Sequence, residues 1–83
     1  MDKPVCAVLG VGPGNGAALA RAFHAAGHAV ALLARSAGFI GELAGELKGS
    51  LALRCDIGQP ADVERALAEV AATLGPVQTL VYN

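Results

Sequence analysis

Four glycines stand at alternate positions in the segment AVLGVGPGNGAALARAF (Ala7–Phe23): Gly10, Gly12, Gly14 and Gly16, with Asn15 between the last two. An apolar run precedes them, and an alanine-rich, helix-like pattern follows. Glycine permits positive φ and leaves the backbone bare, so a ligand can lie directly against peptide groups. The first N–H groups of a helix have no partners inside it, and the helix dipole is positive there. Strand, glycine turn and helix start together suit the binding of an anion, a pyrophosphate above all.

The spacing admits two such readings. G-x-G-x-x-G counted from Gly10 fails at Asn15, whereas Gly12, Gly14 and Ala17 satisfy the tolerated G-x-G-x-x-A form. Gly10, Gly14 and Gly16 instead fit a longer turn, G-x-x-x-G-x-G. A Walker phosphate loop is excluded, because no Gly-Lys-Ser/Thr follows. A dinucleotide or related nucleotide fits the context; a turn required only for close packing is the competing reading.

About 20 residues past the glycines, dinucleotide sites place a carboxylate on the adenosine ribose hydroxyls. Ala34, Arg35 and Ser36 occupy that place, and none is an acid. A guanidinium and a hydroxyl suit a 2′-phosphate, so NADP(H) is expected over NAD(H). The bland alternative makes Arg35 a solvated loop residue. Asp56 either accepts a hydrogen bond from an adenine amino group or caps the turn into Gly58-Gln59-Pro60. His24 and His28 have metal-ligand spacing, but no third ligand is evident and Gly27 is placed to end the helix between them. Zinc takes three or four protein ligands, so no metal site is expected and these are read as exposed histidines at a helix end. Glu64, Arg65 and Glu69 read as a solvated helix face.

The elements that must position these groups alternate along the chain. Strands are expected at Pro4–Gly10, a short apolar run fit for burial on both faces, and at His28–Ala34, Ser50–Asp56 and Val77–Asn83. Helices are expected at Asn15–Gly27, Ser36–Gly49 and Gly58–Gly75. Their apolar stripes are Ala18, Leu19, Ala22, Phe23 and Ala26 in the first, and Phe39, Ile40, Leu43 and Leu47 in the second. Val63, Leu67, Val70 and Leu74 form the third. Pro60 suits the first turn of the third helix, with Asp62 and Glu64 at its positive end, and Gly75-Pro76 closes it. A β-α-β-α-β-α-β order means a parallel α/β sheet with right-handed crossovers.

Composition narrows the field. The 83 residues are 54% hydrophobic, 16% charged and 4% aromatic, with a net charge of −1. That is one small domain or part of one, with no basic excess or aromatic platform for nucleic acid. No apolar run reaches the roughly 18 residues of a membrane helix. The segment MDKPVCAVLG reads as leading into the first strand, not as a signal peptide. Cys6 and Cys55 lack metal spacing and sit in apolar runs, which suggests two buried thiols and a reducing, cytoplasmic compartment.

The residues LGVGPGNG, ARS, CDI and LVYN fall in the order and spacing of the short-chain dehydrogenase/reductase family, and the chain resembles that family throughout. The resemblance implies a Rossmann-type three-layer sandwich with parallel strands in the order 3-2-1-4. Gly10, Gly14 and Gly16 resemble the family's TGxxxGxG turn, with the Asn15 N–H toward the pyrophosphate. Arg35 looks like the basic residue of NADP-dependent members. Asp56, with Ile57 beside it, looks like the adenine-side aspartate, and Asn83 like the second asparagine of the NNAG segment. Three residues depart from the pattern: Leu9 for threonine, Pro13 where some NADP enzymes are basic, and Tyr82 for the first asparagine. Tyr82 is read as packing.

The family's catalytic Tyr-x-x-x-Lys pair and serine have no counterpart in these residues, so no catalytic residue is assigned. The resemblance implies the front part, residues 1–83, of a single NAD(P)-binding domain in a longer, homo-oligomeric oxidoreductase acting on a carbonyl or alcohol. On this reading the 83 residues by themselves are inactive and expose an apolar strand edge. An S-adenosylmethionine-dependent methyltransferase is the rival; it wants acids before the loop and after strand two, where Val8-Leu9 and Ala34-Arg35 stand. A non-catalytic dinucleotide-binding module is the third reading.

Overall fold

The computed structural model describes residues 3–83; Met1 and Asp2, at the head of the first expected strand segment, lie outside the described residues. The order is β1 (Val5–Leu9), α1 (Asn15–Ala25), β2 (Ala29–Ala34), α2 (Ala37–Glu46), β3 (Leu51–Arg54), α3 (Pro60–Leu74) and β4 (Val77–Tyr82). All seven expected elements form, most of them trimmed at the ends. The strands pair in parallel in the order β3-β2-β1-β4, the expected Rossmann-type arrangement.

Every residue of β1 is buried, as a strand covered by helices on both faces must be. On one face Cys6, Val8, Val30 and Leu32 pack with Ala17 and Ala20 of α1 and with Ile40 and Leu43 of α2. On the other, Val5, Ala7, Leu9, Ala31 and Leu33 meet Ala66 and Val70 of α3. The result is three layers, with no buried polar or charged residue among those described. Cys6 and Cys55 are unpaired and buried, and burial pushes both thiols up. Pro60 stands in the first turn of α3 and Gly75, at φ 115°, ends it, so both helix signals act as expected.

The stripe expected on α1 is a correction. Ala17, Ala20 and Gly16 are its buried residues; Ala18, Ala22 and Ala26 are exposed, and Leu19 and Phe23 half-buried. In an alanine-rich helix both faces look apolar, and the sheet selects the smallest one because it permits the closest approach.

β4 is an edge strand. Its ladder with β1 slips by one residue, from Val5–Val77 to Cys6–Thr79, which leaves Gln78 as the extra residue of a bulge. Leu80 and Tyr82 are 54% and 70% exposed. The expected packing role of Tyr82 is thus not seen; of β4, Val77 is the residue that packs with the α3-side core.

Candidate nucleotide-binding site

The glycine turn is pinned from both sides. Gly10 and Val11 donate their N–H groups to the Leu33 carbonyl at 2.8 and 3.1 Å. Asn83, just past β4, donates its N–H to the Leu9 carbonyl at 3.1 Å and its Nδ2 to the Gly10 carbonyl at 3.2 Å. Gly10 has φ 81° and is the one glycine of the four with positive φ. A Cβ there would meet the Asn83 carbonyl oxygen at 2.9 Å, and one on Gly16 would meet Val11 Cα at the same distance. Gly12 and Gly14 have nothing within 4 Å. Gly10 and Gly16 therefore bring chain segments together, while Gly12 and Gly14 leave the outer side of the turn open. This division fits the longer G-x-x-x-G-x-G turn better than the form completed by Ala17.

Among the described residues no protein acceptor takes the N–H groups of Gly12, Gly14, Asn15 or Gly16. The N-cap Gly14 offers no side chain and the first turn of α1 holds no acid, so the positive end of the dipole is uncompensated. Asn15, Ala18, Leu19 and Asn83 line a hollow of about 420 Å³ beside it. Bare amides over open space fit a dinucleotide's pyrophosphate.

The far end of the sheet edge carries the other expected residues. Arg35 directly follows β2; its side chain is 78% exposed, and its Nε lies 4.0 Å from Asp56 Oδ1. Ser36 is the N-cap of α2 but makes no side-chain cap bond, so its hydroxyl is unspent. Asp56 Oδ1 accepts the Gly58 N–H at 3.0 Å, and the Asp56 carbonyl accepts the Gln59 N–H at 3.0 Å. Asp56 thus caps the turn into Gly58-Gln59-Pro60. Ile57 is half-buried, with Cδ1 3.5 Å from where a Gly10 Cβ would stand, which links the β3 exit to the glycine turn.

Sequence reasoning missed the network beneath these residues. Asp62 of α3 accepts the Asp56 N–H at 2.7 Å and the Arg65 Nε at 2.8 Å. Arg65 also donates to the Arg54 carbonyl at 2.9 Å, and Arg54 Nε donates to the Arg35 carbonyl at 3.1 Å. The Asp56 N–H and the Arg65 guanidinium hold the Asp62 carboxyl below the usual carboxylate range. Arg65 lies on the exposed helix face as expected, and its side chain also bridges α3 to β3. The i, i+3 spacing of Asp62 and Arg65 in a helix's first turns was the available signal.

The histidines also differ from expectation. Both are half-buried: His24 Nε2 lies 2.8 Å from the Lys48 carbonyl oxygen, and His28 meets Phe23 edge-on at 5.1 Å. No group of three His, Cys, Asp or Glu that could hold a metal occurs among the described residues.

Comparison with known proteins agrees with this geometry. The short chain dehydrogenase family profile matches residues 4–83. A 3-oxoacyl-(acyl-carrier-protein) reductase of Mus musculus is 42% identical over 82 residues, 98% of this chain and 34% of that protein. The Homo sapiens reductase of the same name is 39% identical over the same shares. A short-chain dehydrogenase/reductase from Serratia marcescens superimposes with a TM-score of 0.91 at 28% identity, covering 99% of this chain and 36% of that one. A metagenomic short-chain oxidoreductase solved in complex with NADP gives a TM-score of 0.81 at 27% identity, covering 96% and 38%. The chain thus spans about a third of the length of the curated relatives it matches.

Proposed function

Because this chain belongs to the short-chain dehydrogenase family, we propose that it is the front part, residues 1–83, of a single dinucleotide-binding domain and holds NADP(H) in preference to NAD(H). The whole protein is then an oxidoreductase moving hydride between the nicotinamide and a carbonyl or alcohol. Family membership leaves the methyltransferase reading without support. The observation that carries the proposal is the set of unpartnered N–H groups at Gly12, Gly14, Asn15 and Gly16, on a helix start free of acid, with an exposed Arg35 at the other end of the same sheet edge.

Gly12, Gly14, Asn15 and Gly16 receive the pyrophosphate on their N–H groups, with Gly10 setting the turn. Arg35 and Ser36 receive the 2′-phosphate, Asp56 and Ile57 border the adenine, and Asn83 braces the turn. When bound, the dinucleotide supplies or accepts the hydride; these residues bind and orient it. The relatives' name makes a 3-oxoacyl carbonyl the first substrate class to assay. Unpaired buried thiols favour a reducing compartment such as the cytoplasm, and a homo-oligomer is expected.

Arg35→Asp tests the cofactor assignment. Titration of the purified protein should show NADPH binding weakened by about tenfold or more, the loss of a charge-assisted pair, with NADH binding kept or improved. Unchanged NADPH affinity relative to NADH would overturn the assignment.

A further inference from the structure

Arg54 was not singled out by the sequence, yet it stands beside the residue to which the 2′-phosphate was assigned. In the β2–β3 ladder Arg54 is the direct partner of Ala34, and the ladder is held one step further by the Cys55 N–H on the Ala34 carbonyl at 2.8 Å. Arg35 is the next residue of β2's strand exit. The two arginines therefore lie within one residue of the same level on neighbouring strands at the sheet's carboxyl edge, where open α/β sheets receive ligands. Parallel partners project to the same face, and Ala34 packs with the α1–α2 layer, so Arg54 lies on the face where α2 begins.

Arg54 is exposed, and its Nε donates to the Arg35 carbonyl at 3.1 Å. That bond fixes the backbone of the turn carrying Arg35 and Ser36. Among the described residues Arg21 pairs with Glu46 and Arg65 with Asp62 and Glu69, while Arg35 reaches Asp56 only at 4.0 Å. Arg54 has no carboxylate within 4 Å among the described residues, so its terminal nitrogens are not committed to an ion pair. The negative charge of Asp62 is near enough to feel Arg54, but Asp62 oxygens are already taken by the Asp56 N–H and Arg65.

A phosphate monoester carries close to two negative charges at neutral pH, and one exposed guanidinium is a weak hold on it in water. We infer that Arg54 is a second specificity-determining residue: a guanidinium on β3 that braces the Arg35 carbonyl and, with Arg35, receives the adenosine 2′-phosphate. This rests on the proposed NADP(H) reading. It also supplies the help that Pro13 withholds at the usual basic position.

The test compares 2′,5′-ADP with 5′-ADP, and NADPH with NADH, on purified wild-type protein, Arg35→Asp, Arg54→Gln and Arg54→Lys. These probes differ by the single phosphate at issue. Arg54→Gln should weaken 2′,5′-ADP and NADPH about tenfold while changing 5′-ADP and NADH less than twofold. Arg54→Lys should recover part of the loss, because it restores charge but not the fork. An equal loss for all four ligands makes Arg54 a backbone strut only and overturns the inference, as does no loss. If Arg35→Asp discriminates the ligands and Arg54→Gln does not, the inference fails alone; if neither does, the NADP(H) reading fails with it. Circular dichroism melts confirm that each variant is folded, and Arg54→Lys serves if Arg54→Gln is not.

Discussion

At the scale of single residues, four glycines that look alike in the sequence do two different jobs. Gly16→Ala places a methyl group 2.9 Å from Val11 Cα, an overpacking expected to cost about 1–3 kcal/mol in denaturant unfolding. Gly10→Ala adds a positive φ of 81° to a clash with Asn83, and is expected to cost at least as much. Gly12→Ala meets nothing, so its midpoint should stay within about 0.5 kcal/mol of wild type while NADPH affinity falls several-fold. Isothermal titration beside urea melts separates the two classes. Position alone made the turn at Gly10–Gly16 and the strand exits carrying Arg35, Ser36 and Asp56 legible, since a strand-turn-helix pattern fixes where backbone amides are left open. Arg54 and Asp62 were not legible. Their partners are backbone groups of distant residues, and a backbone carbonyl leaves no mark in the sequence.

At the scale of elements, β1 and β2 were readable because each is apolar along its whole length, while β3 and β4 are mixed runs recognised from their alternation with helices. β3 is shorter than the expected segment, ending at Arg54, although the Cys55 N–H still bonds the Ala34 carbonyl at 2.8 Å. α1 was misread because period alone cannot choose between two faces of alanine; the choice is made by the sheet. α3 buries Val70 as expected, with Val63, Leu67 and Leu74 half-buried, but also Ala66, which its apolar stripe did not include. Its first turn also governs acid stability. The Asp56 N–H, then the Arg65 guanidinium, hold the Asp62 carboxyl below its ordinary range. A depressed folded-state pKa contributes stability above the unfolded value of about 4, and that contribution disappears as pH falls through the folded value. Thermal midpoints between pH 6 and pH 3 should therefore fall more steeply for wild type than for Asp62→Asn, whose melt starts lower at pH 6.

At the scale of the whole molecule, the two sheet edges are unequal. β3 ends on Arg54, whereas β4 presents Leu80 and Tyr82 on the α3 face beside unpaired backbone groups. Such an edge is a template for another strand. The 83-residue chain prepared by itself should sediment as species larger than its 8.3 kDa monomer as concentration rises, and Leu80→Lys should reduce that association. A monomer at all concentrations with a sharp two-state melt would contradict it.

The Asn83 bond to the Gly10 carbonyl spans 73 positions of sequence. A chain emerging from the ribosome displays its glycine loop early, yet the strut that steadies this loop is made only after β1, β2 and β4 lie side by side. Affinity for nucleotide should therefore wait for the docking of β4, and nascent chains stalled before Pro76 should pass through a coenzyme column unretained.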